Sequence, residues 1–107
     1  MSDNDEGSVS VATLTAEDFK PHIGTVFIAG HGDFEDQLTL VEVIPALRPA
    51  TQGFRQPFTL VLDGIRDDAM INNMIEIEHP VMGAQLLTPS ATGRNSIGGF
   101  RYELVFG

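Results

Sequence analysis

The residues with the richest chemistry stand close together between positions 31 and 36. His31, Asp33, Glu35 and Asp36 offer one imidazole and three carboxylates. Oxygen-rich loops can bind calcium or magnesium, so these four residues are the candidates for a small ligand- or metal-binding β domain. Their spacing does not match an EF-hand, and no His-x-His pair of a cupin-like metal barrel occurs. A solvated hairpin tip also explains them, and we favour it and predict no metal or cofactor site.

The other titratable residues of interest belong to one stretch, 74–89. His79 follows Ile75 and Ile77 on one face of a strand, and no neighbour supplies the nucleophile that a general base would need. We predict that His79 lies at the edge of the core and hydrogen-bonds the backbone of the next turn. Glu76 and Glu78 share the other face, ~6–7 Å apart. Exposed carboxylates at that spacing discourage edge-to-edge pairing of strands.

No further motif indicates catalysis. A Gly-x-Ser-x-Gly elbow is absent, and the glycine-rich segment 93–99 leads into a strand rather than into the helix N-terminus that would hold a phosphate. We therefore predict no catalytic residue and a protein that is not an enzyme.

Composition narrows the class of partner. The formal net charge is −9, from 15 acidic and 6 basic residues, which argues against nucleic acid and against an anionic membrane. Cysteine is absent, which excludes disulfides and thiolate ligands. The opening residues MSDNDEGS are acidic and lack the apolar segment of a Sec-type signal peptide. We expect a protein of the cytoplasm, or one that is exported as part of an assembly.

The elements follow from short alternating segments with turn residues between them. The clearest is a hairpin in 74–89, in which Pro80 fixes one turn position and Gly83 supplies a free φ. Thr15 begins a single helical turn that Phe19 anchors. Further strands are predicted at 25–29, 38–44, 58–62 and 100–106, with flexible connections at 30–36 and 90–99. We predict an all-β single domain: a small β-sandwich or open barrel of six to seven mostly antiparallel strands.

The chain divides into two parts on this interpretation. Residues 1–13 form an acidic tail that ends in an extended arm, and residues 14–107 form the β domain. In the arm, Val9, Val11 and Thr13 alternate with smaller or polar neighbours, as in a strand with one buried face. Such an arm needs a sheet edge to pair with, either in its own domain or in a neighbour. The three residues are the predicted interaction site; a mobile leader is the competing interpretation.

The layout as a whole resembles a small bacterial family of unknown function. The matching pieces are Leu14–Phe19 with Ile23-Gly24, Leu40–Val43, Gly53-Phe54 with Phe58 and Leu60, His79-Pro80-x-x-Gly83, Pro89, and Tyr102-Glu103-x-x-Phe106. Members of that family look like companions of phage-tail-collar-like proteins, which implies an assembly role. The resemblance adds no catalytic residue. We expect a non-enzymatic structural or assembly module, a subunit of a homopolymer or of a phage-tail-like assembly. Its expected partner is a protein: itself, through the arm, or a tail-collar-like protein.

Overall fold

The computed structural model describes residues 14–47, 56–69 and 74–106. Its elements, in chain order, are α1 (Ala16–Phe19), a 3₁₀ turn (Lys20–His22), β1 (Val26–His31), β2 (Phe34–Pro45), β3 (Phe58–Asp63), β4 (Ile75–His79), β5 (Gly83–Leu87), β6 (Ser90–Arg94) and β7 (Phe100–Phe106). These strands and one short helix confirm the all-β prediction. No helix in the described ranges is long and apolar enough to cross a membrane.

The strands form one curled half-barrel sheet, so the open barrel is the better of the two predicted architectures. The strand order is β5-β4-β1-β2-β3-β7-β6, and each neighbouring pair is antiparallel. The first half of β2 pairs with β1 and the second half pairs with β3. A bulge between Leu40 and Glu42 lies in this second half. Because a bulge bends its strand and increases the local twist, it helps β2 to turn the corner of the half-barrel.

The two edge strands explain the curl. β5 and β6 lie at opposite edges of the sheet, yet only Thr88 and Pro89 separate them in the chain. Three Cα–Cα steps from Leu87 to Ser90 span at most about 11 Å. The sheet must therefore curl until its edges come within that distance at this point. Pro89, which is buried, stands at the crossing.

The core lies inside the curl, and α1 covers one end of it. Phe19 is 1% exposed, and its ring lies 5.4–6.4 Å from the ring centroids of Phe27, Phe58 and Phe106, on three different strands. The predicted inward anchor is thus confirmed. Aromatic burial of this kind outweighs the low intrinsic stability of a one-turn helix. Asp18 supports the turn because its Oδ2 accepts a hydrogen bond from the Thr15 amide at 2.8 Å.

Two predicted connections are wrong. The acidic loop 31–36 is a two-residue turn, since His31 ends β1 and pairs with Phe34, the first residue of β2. The predicted loop 90–99 begins with a strand, β6, which pairs with β7. In both places pairing with a neighbouring strand overrides the local preference of Gly, Ser and Asp for turns.

For the last strand, the alternation of the sequence predicts one buried face with Tyr102, Leu104 and Phe106 and one exposed face with Arg101 and Glu103. Tyr102, Leu104 and Phe106 are buried, as the alternation predicts. Arg101 and Glu103 are half-buried rather than exposed. Arg101 lies across the sheet against Asp63, with Nε–Oδ1 and Nη2–Oδ2 distances of 2.8 and 3.0 Å, which covers part of its stem.

Candidate functional site

The predicted acidic group does not converge on one point. On β2, Asp36 faces the core and is 2% exposed, whereas Glu35 is exposed. Asp33 is exposed in the turn, and the side chain of His31 lies outside the described part of the structure. Among the described residues no group of three His, Cys, Asp or Glu side chains is arranged to hold a metal ion. A strand alternates its side chains between two faces, so neighbours in sequence separate in space.

Asp36 has a structural role that the sequence did not reveal. Its Oδ1 accepts hydrogen bonds from the amides of Gln37, Ile65 and Arg66 at 2.8, 3.0 and 3.3 Å. These bonds hold the start of the β3–β4 connection against β2. Its Oδ2 is buried, with no hydrogen-bond partner in the described residues. This oxygen lies against Gly64, where any Cβ would overlap it. The site is a backbone clamp with no room for a ligand at Gly64.

Asn95 is a second clamp in the segment that was predicted to be a plain loop. Its side-chain amide donates to the carbonyls of Gly64 and Phe100 at 2.8 and 3.1 Å. Its carbonyl accepts from the amides of Ile97 and Gly99 at 2.9 and 3.0 Å. One side chain thus closes the β6–β7 turn and fastens it to the β3–β4 connection. The only indication of this role in the sequence was an Asn within a Gly-rich segment, because Asn side chains often hydrogen-bond the backbone of turns.

His79 occupies the predicted position at the core edge and is 7% exposed. Its Nδ1 accepts hydrogen bonds from the amides of Val81 and Met82 at 3.0 and 3.2 Å, which confirms its predicted bond to the turn. The Thr25 hydroxyl donates to the His22 carbonyl at 2.6 Å and lies 3.0 Å from Nε2. Since that hydroxyl hydrogen is already used, Nε2 carries the ring hydrogen and donates it to Thr25.

The surroundings of His79 hold its ring neutral. Burial lowers the pKa of His79 below its ordinary value, and the nearby His22 lowers it further. The His22 ring lies edge-on at 4.7 Å and the Phe27 ring at 4.4 Å between centroids. The Thr25 hydroxyl is the group among these contacts that could act as a nucleophile, but it donates its hydrogen to the His22 carbonyl and accepts the Nε2 hydrogen, so His79 does not activate it. The arrangement secures a turn and gives no support to general-base chemistry.

The outer face of the sheet carries the exposed carboxylates. Across β4, β1 and β2, a shallow depression of about 340 Å³ has Gly30 and Ile28 as its floor. Glu76 and Glu78 stand on one side of it and Glu35 on the other. The complete lining is Ile28, Gly30, Gly32, Asp33, Phe34, Glu35, Glu76 and Glu78. Without a side chain at Gly30, the carboxylates surround an open acidic surface.

The two edges of the sheet differ in how well they are protected. β6 carries a bulge between Ala91 and Gly93 and ends in a charged residue, Arg94. Both features obstruct pairing with a further strand. β5, with the sequence Gly-Ala-Gln-Leu-Leu, contains no charge, no proline and no bulge. Its Leu86 is 61% exposed. β5 is therefore the unprotected edge.

The curled sheet stays open between its two edge strands, β5 and β6, because no described strand pairs with the outer side of either. We call this opening the sheet gap. At the Leu87–Ser90 crossing the edges are at most about 11 Å apart, and one inserted strand needs about 9.6 Å between its neighbours. No more than one strand fits at that end.

The predicted interaction residues Val9, Val11 and Thr13 lie outside the described residues. Their pairing stays a prediction. The acceptor side of such a pairing, a free and unprotected strand edge, is what the described residues supply.

Comparison with known proteins finds one family. A family model described as a domain of unknown function (DUF6916) matches residues 14–106. No curated protein and no solved structure matches significantly.

Proposed function

The chain belongs to this DUF6916 family, to which no function is assigned, and we propose a function from the geometry of the sheet. The protein is a non-enzymatic assembly module that accepts a β-strand from a protein partner at the free edge of β5. Backbone hydrogen bonds along the edge supply affinity, and alternate side chains of the added strand supply specificity.

The observation that carries the proposal is the contrast between the two edges. Natural sheets protect exposed edges with charges, proline or bulges, because an unprotected edge pairs with other chains. β6 has such protection, and β5 has none. A strand seated against β5 would enter the sheet gap and satisfy the outward backbone N–H and C=O groups of β5.

We propose that the strand added to β5 comes from a separate protein. The family resemblance makes a tail-collar-like protein one candidate. The arm Val9–Thr13 of a second copy, which would build a homopolymer, is the other donor that experiment must address. Head-to-tail addition of that kind need not close and gives a filament.

The alternative function, ligand or metal binding by residues 31–36, is tested by titration with calcium, magnesium and zinc. Asp33→Asn with Glu35→Gln is the suitable variant there, because Asp36 clamps backbone amides.

The test uses ¹⁵N-labelled full-length protein and two seven-residue peptides. One peptide alternates Thr and Val, and the other has the sequence of residues 8–14. Binding at the edge protects the amides of β5 from hydrogen exchange and shifts their resonances. Leu86→Lys places a charge on the edge and should abolish the effect, whereas Ile44→Lys, on an outer face away from the gap, should not. If neither these peptides nor a peptide in which Thr alternates with Lys and Val protects β5 in the folded protein, the proposed function is wrong.

Light scattering identifies the donor. A full-length protein that polymerises, and that becomes monomeric when residues 1–13 are deleted, would identify the arm as the donor and contradict our choice of a separate protein. A full-length monomer at high concentration excludes the homopolymer.

A further inference from the structure

We infer that the strand accepted by β5 carries alternating basic and apolar residues on the outer face of the sheet. It places a Lys or Arg beside Ala84 and an apolar residue beside Leu86. The inference rests on the proposed function of the β5 edge, and it names the chemistry of the partner. It follows from which residues of the outer face stand next to that edge.

Two rows of residues run across the sheet from β5. Leu86 pairs with Glu76, which pairs with Gly30 of β1. Ala84 pairs with Glu78 in the same way, two residues along the strand. An added strand would extend both rows by one position. Its outward residues would therefore meet Leu86 in one row and Ala84 in the next.

The second row favours a cation. Ala84 has only a methyl group, so it leaves the side of Glu78 that faces the edge uncovered. The added strand lies two strand spacings, about 9.6 Å, from β4. A Lys or Arg stem can lie across Ala84 and bring its charge to Glu78, since such stems pack along apolar surface and keep the charge in water. A short or acidic residue at that position would leave Glu78 unpaired or repel it.

The first row favours an apolar residue, because Leu86 is 61% exposed and nothing described covers it. An apolar residue of the added strand beside Leu86 would remove part of that surface from water, which stabilises the pairing.

The wider charge distribution points the same way. The acidic surface formed by Glu76, Glu78 and Glu35 adjoins this edge, and the chain carries a net charge of −9. Complementary charge steers association and disfavours acidic partners. None of the six basic residues lies within residues 1–13, which contain Asp3, Asp5 and Glu6. The arm of a second copy therefore lacks the stated chemistry, and we assign the occupant to another protein.

The experiment compares peptides of one length on the full-length protein. In the test peptide every second residue is Thr, and the positions between them are Lys and Val in turn. The control peptides replace Lys by Gln, replace Lys by Glu, or scramble the order. Affinity is measured by fluorescence anisotropy at low and at high salt. Glu76→Gln with Glu78→Gln should weaken the Lys peptide about three- to ten-fold and leave the Gln peptide unchanged. Glu17→Gln, an exposed carboxylate of α1, serves as the matched control.

Ala84→Lys provides a second variant that does not threaten the fold. The new Lys stands directly opposite Glu78 and pairs with it, so hairpin stability should be kept. It also occupies the position that the partner's cation needs, and we expect it to abolish the preference for Lys over Gln. Thermal unfolding confirms that the variant is folded.

The possible failures are distinct. If the Lys, Gln and Glu peptides bind equally, strand acceptance holds and the inferred chemistry is wrong. If the scrambled Lys peptide binds as well as the alternating one, the attraction is only charge, and both the inference and strand addition at β5 fail for this ligand. Preference for Lys that survives Ala84→Lys would place the cation elsewhere and overturn the assignment to Glu78.

Discussion

Acid should weaken this fold through His79, and the effect can be worked out from its contacts. The ring donates from Nε2 to Thr25 and accepts two amides at Nδ1. A proton added at Nδ1 would point at the N–H groups of Val81 and Met82 and would break both bonds. Protonation in the folded state is therefore disfavoured, in agreement with the lowered pKa of His79 that burial and His22 produce.

The direction of the pH dependence follows. The pKa of His79 is lower in the folded protein than in the unfolded chain, where it is about 6.5. The contribution of the neutral ring to stability is fully present above pH 6.5 and is lost as the pH falls from there toward the folded pKa. In that window the unfolded chain binds more protons, so the free energy of unfolding rises with pH. One proton accounts for at most about 1 kcal/mol between pH 6.5 and 5.5.

Urea unfolding at pH 7.5, 6.5 and 5.5 measures this, with His79→Gln as the comparison. Gln cannot titrate, so the variant should lose the part of the slope that belongs to His79 while keeping that of the other groups. Above pH 6.5 the variant should be less stable, since Gln does not reproduce both amide bonds. Equal slopes for the two proteins, or a His79 resonance that titrates above pH 6.5 in the folded protein, would refute the reasoning.

Three further predictions test the turns and the core. Gly83→Val should destabilise far more than Val81→Thr, because Gly83 has a φ of 82° and Val81 is 71% exposed; equal melting temperatures would contradict the turn. Gly99→Ala should cost more than Gly30→Ala, because a Cβ at Gly99 overlaps the backbone of the β3–β4 connection whereas one at Gly30 meets only an oxygen at 3.7 Å; chemical denaturation of both variants decides. Phe106→Ala should cost about 3–5 kcal/mol by the same measurement, since Phe106 is 2% exposed; a loss under 1 kcal/mol would show that its packing is misjudged.

Strands whose features are set within a short stretch of the chain could be predicted from the sequence, and a strand that forms only beside a partner could not. The β4–β5 hairpin was predictable because alternation and turn residues agree within one short stretch. β6 was missed because Ser-Ala-Thr-Gly-Arg has little preference for a strand, and it becomes one only beside β7. The same limit applies to the acidic group. Alternation along β2 sends Asp36 inward and Glu35 outward, and the sequence could have shown this had β2 been predicted to begin at Phe34.

The amino-acid sequence by itself determined the fold class, the inward anchor Phe19, the turn glycine Gly83 and the role of His79, because each depends on local periodicity or on backbone geometry within a few residues. Only the tertiary structure decided which two strands form the edges of the sheet. β5 and β6 are consecutive in the chain but lie at opposite ends of the strand order. That order arises from long-range pairings, whose partners no local pattern specifies, and so the sheet gap could not be predicted from the sequence.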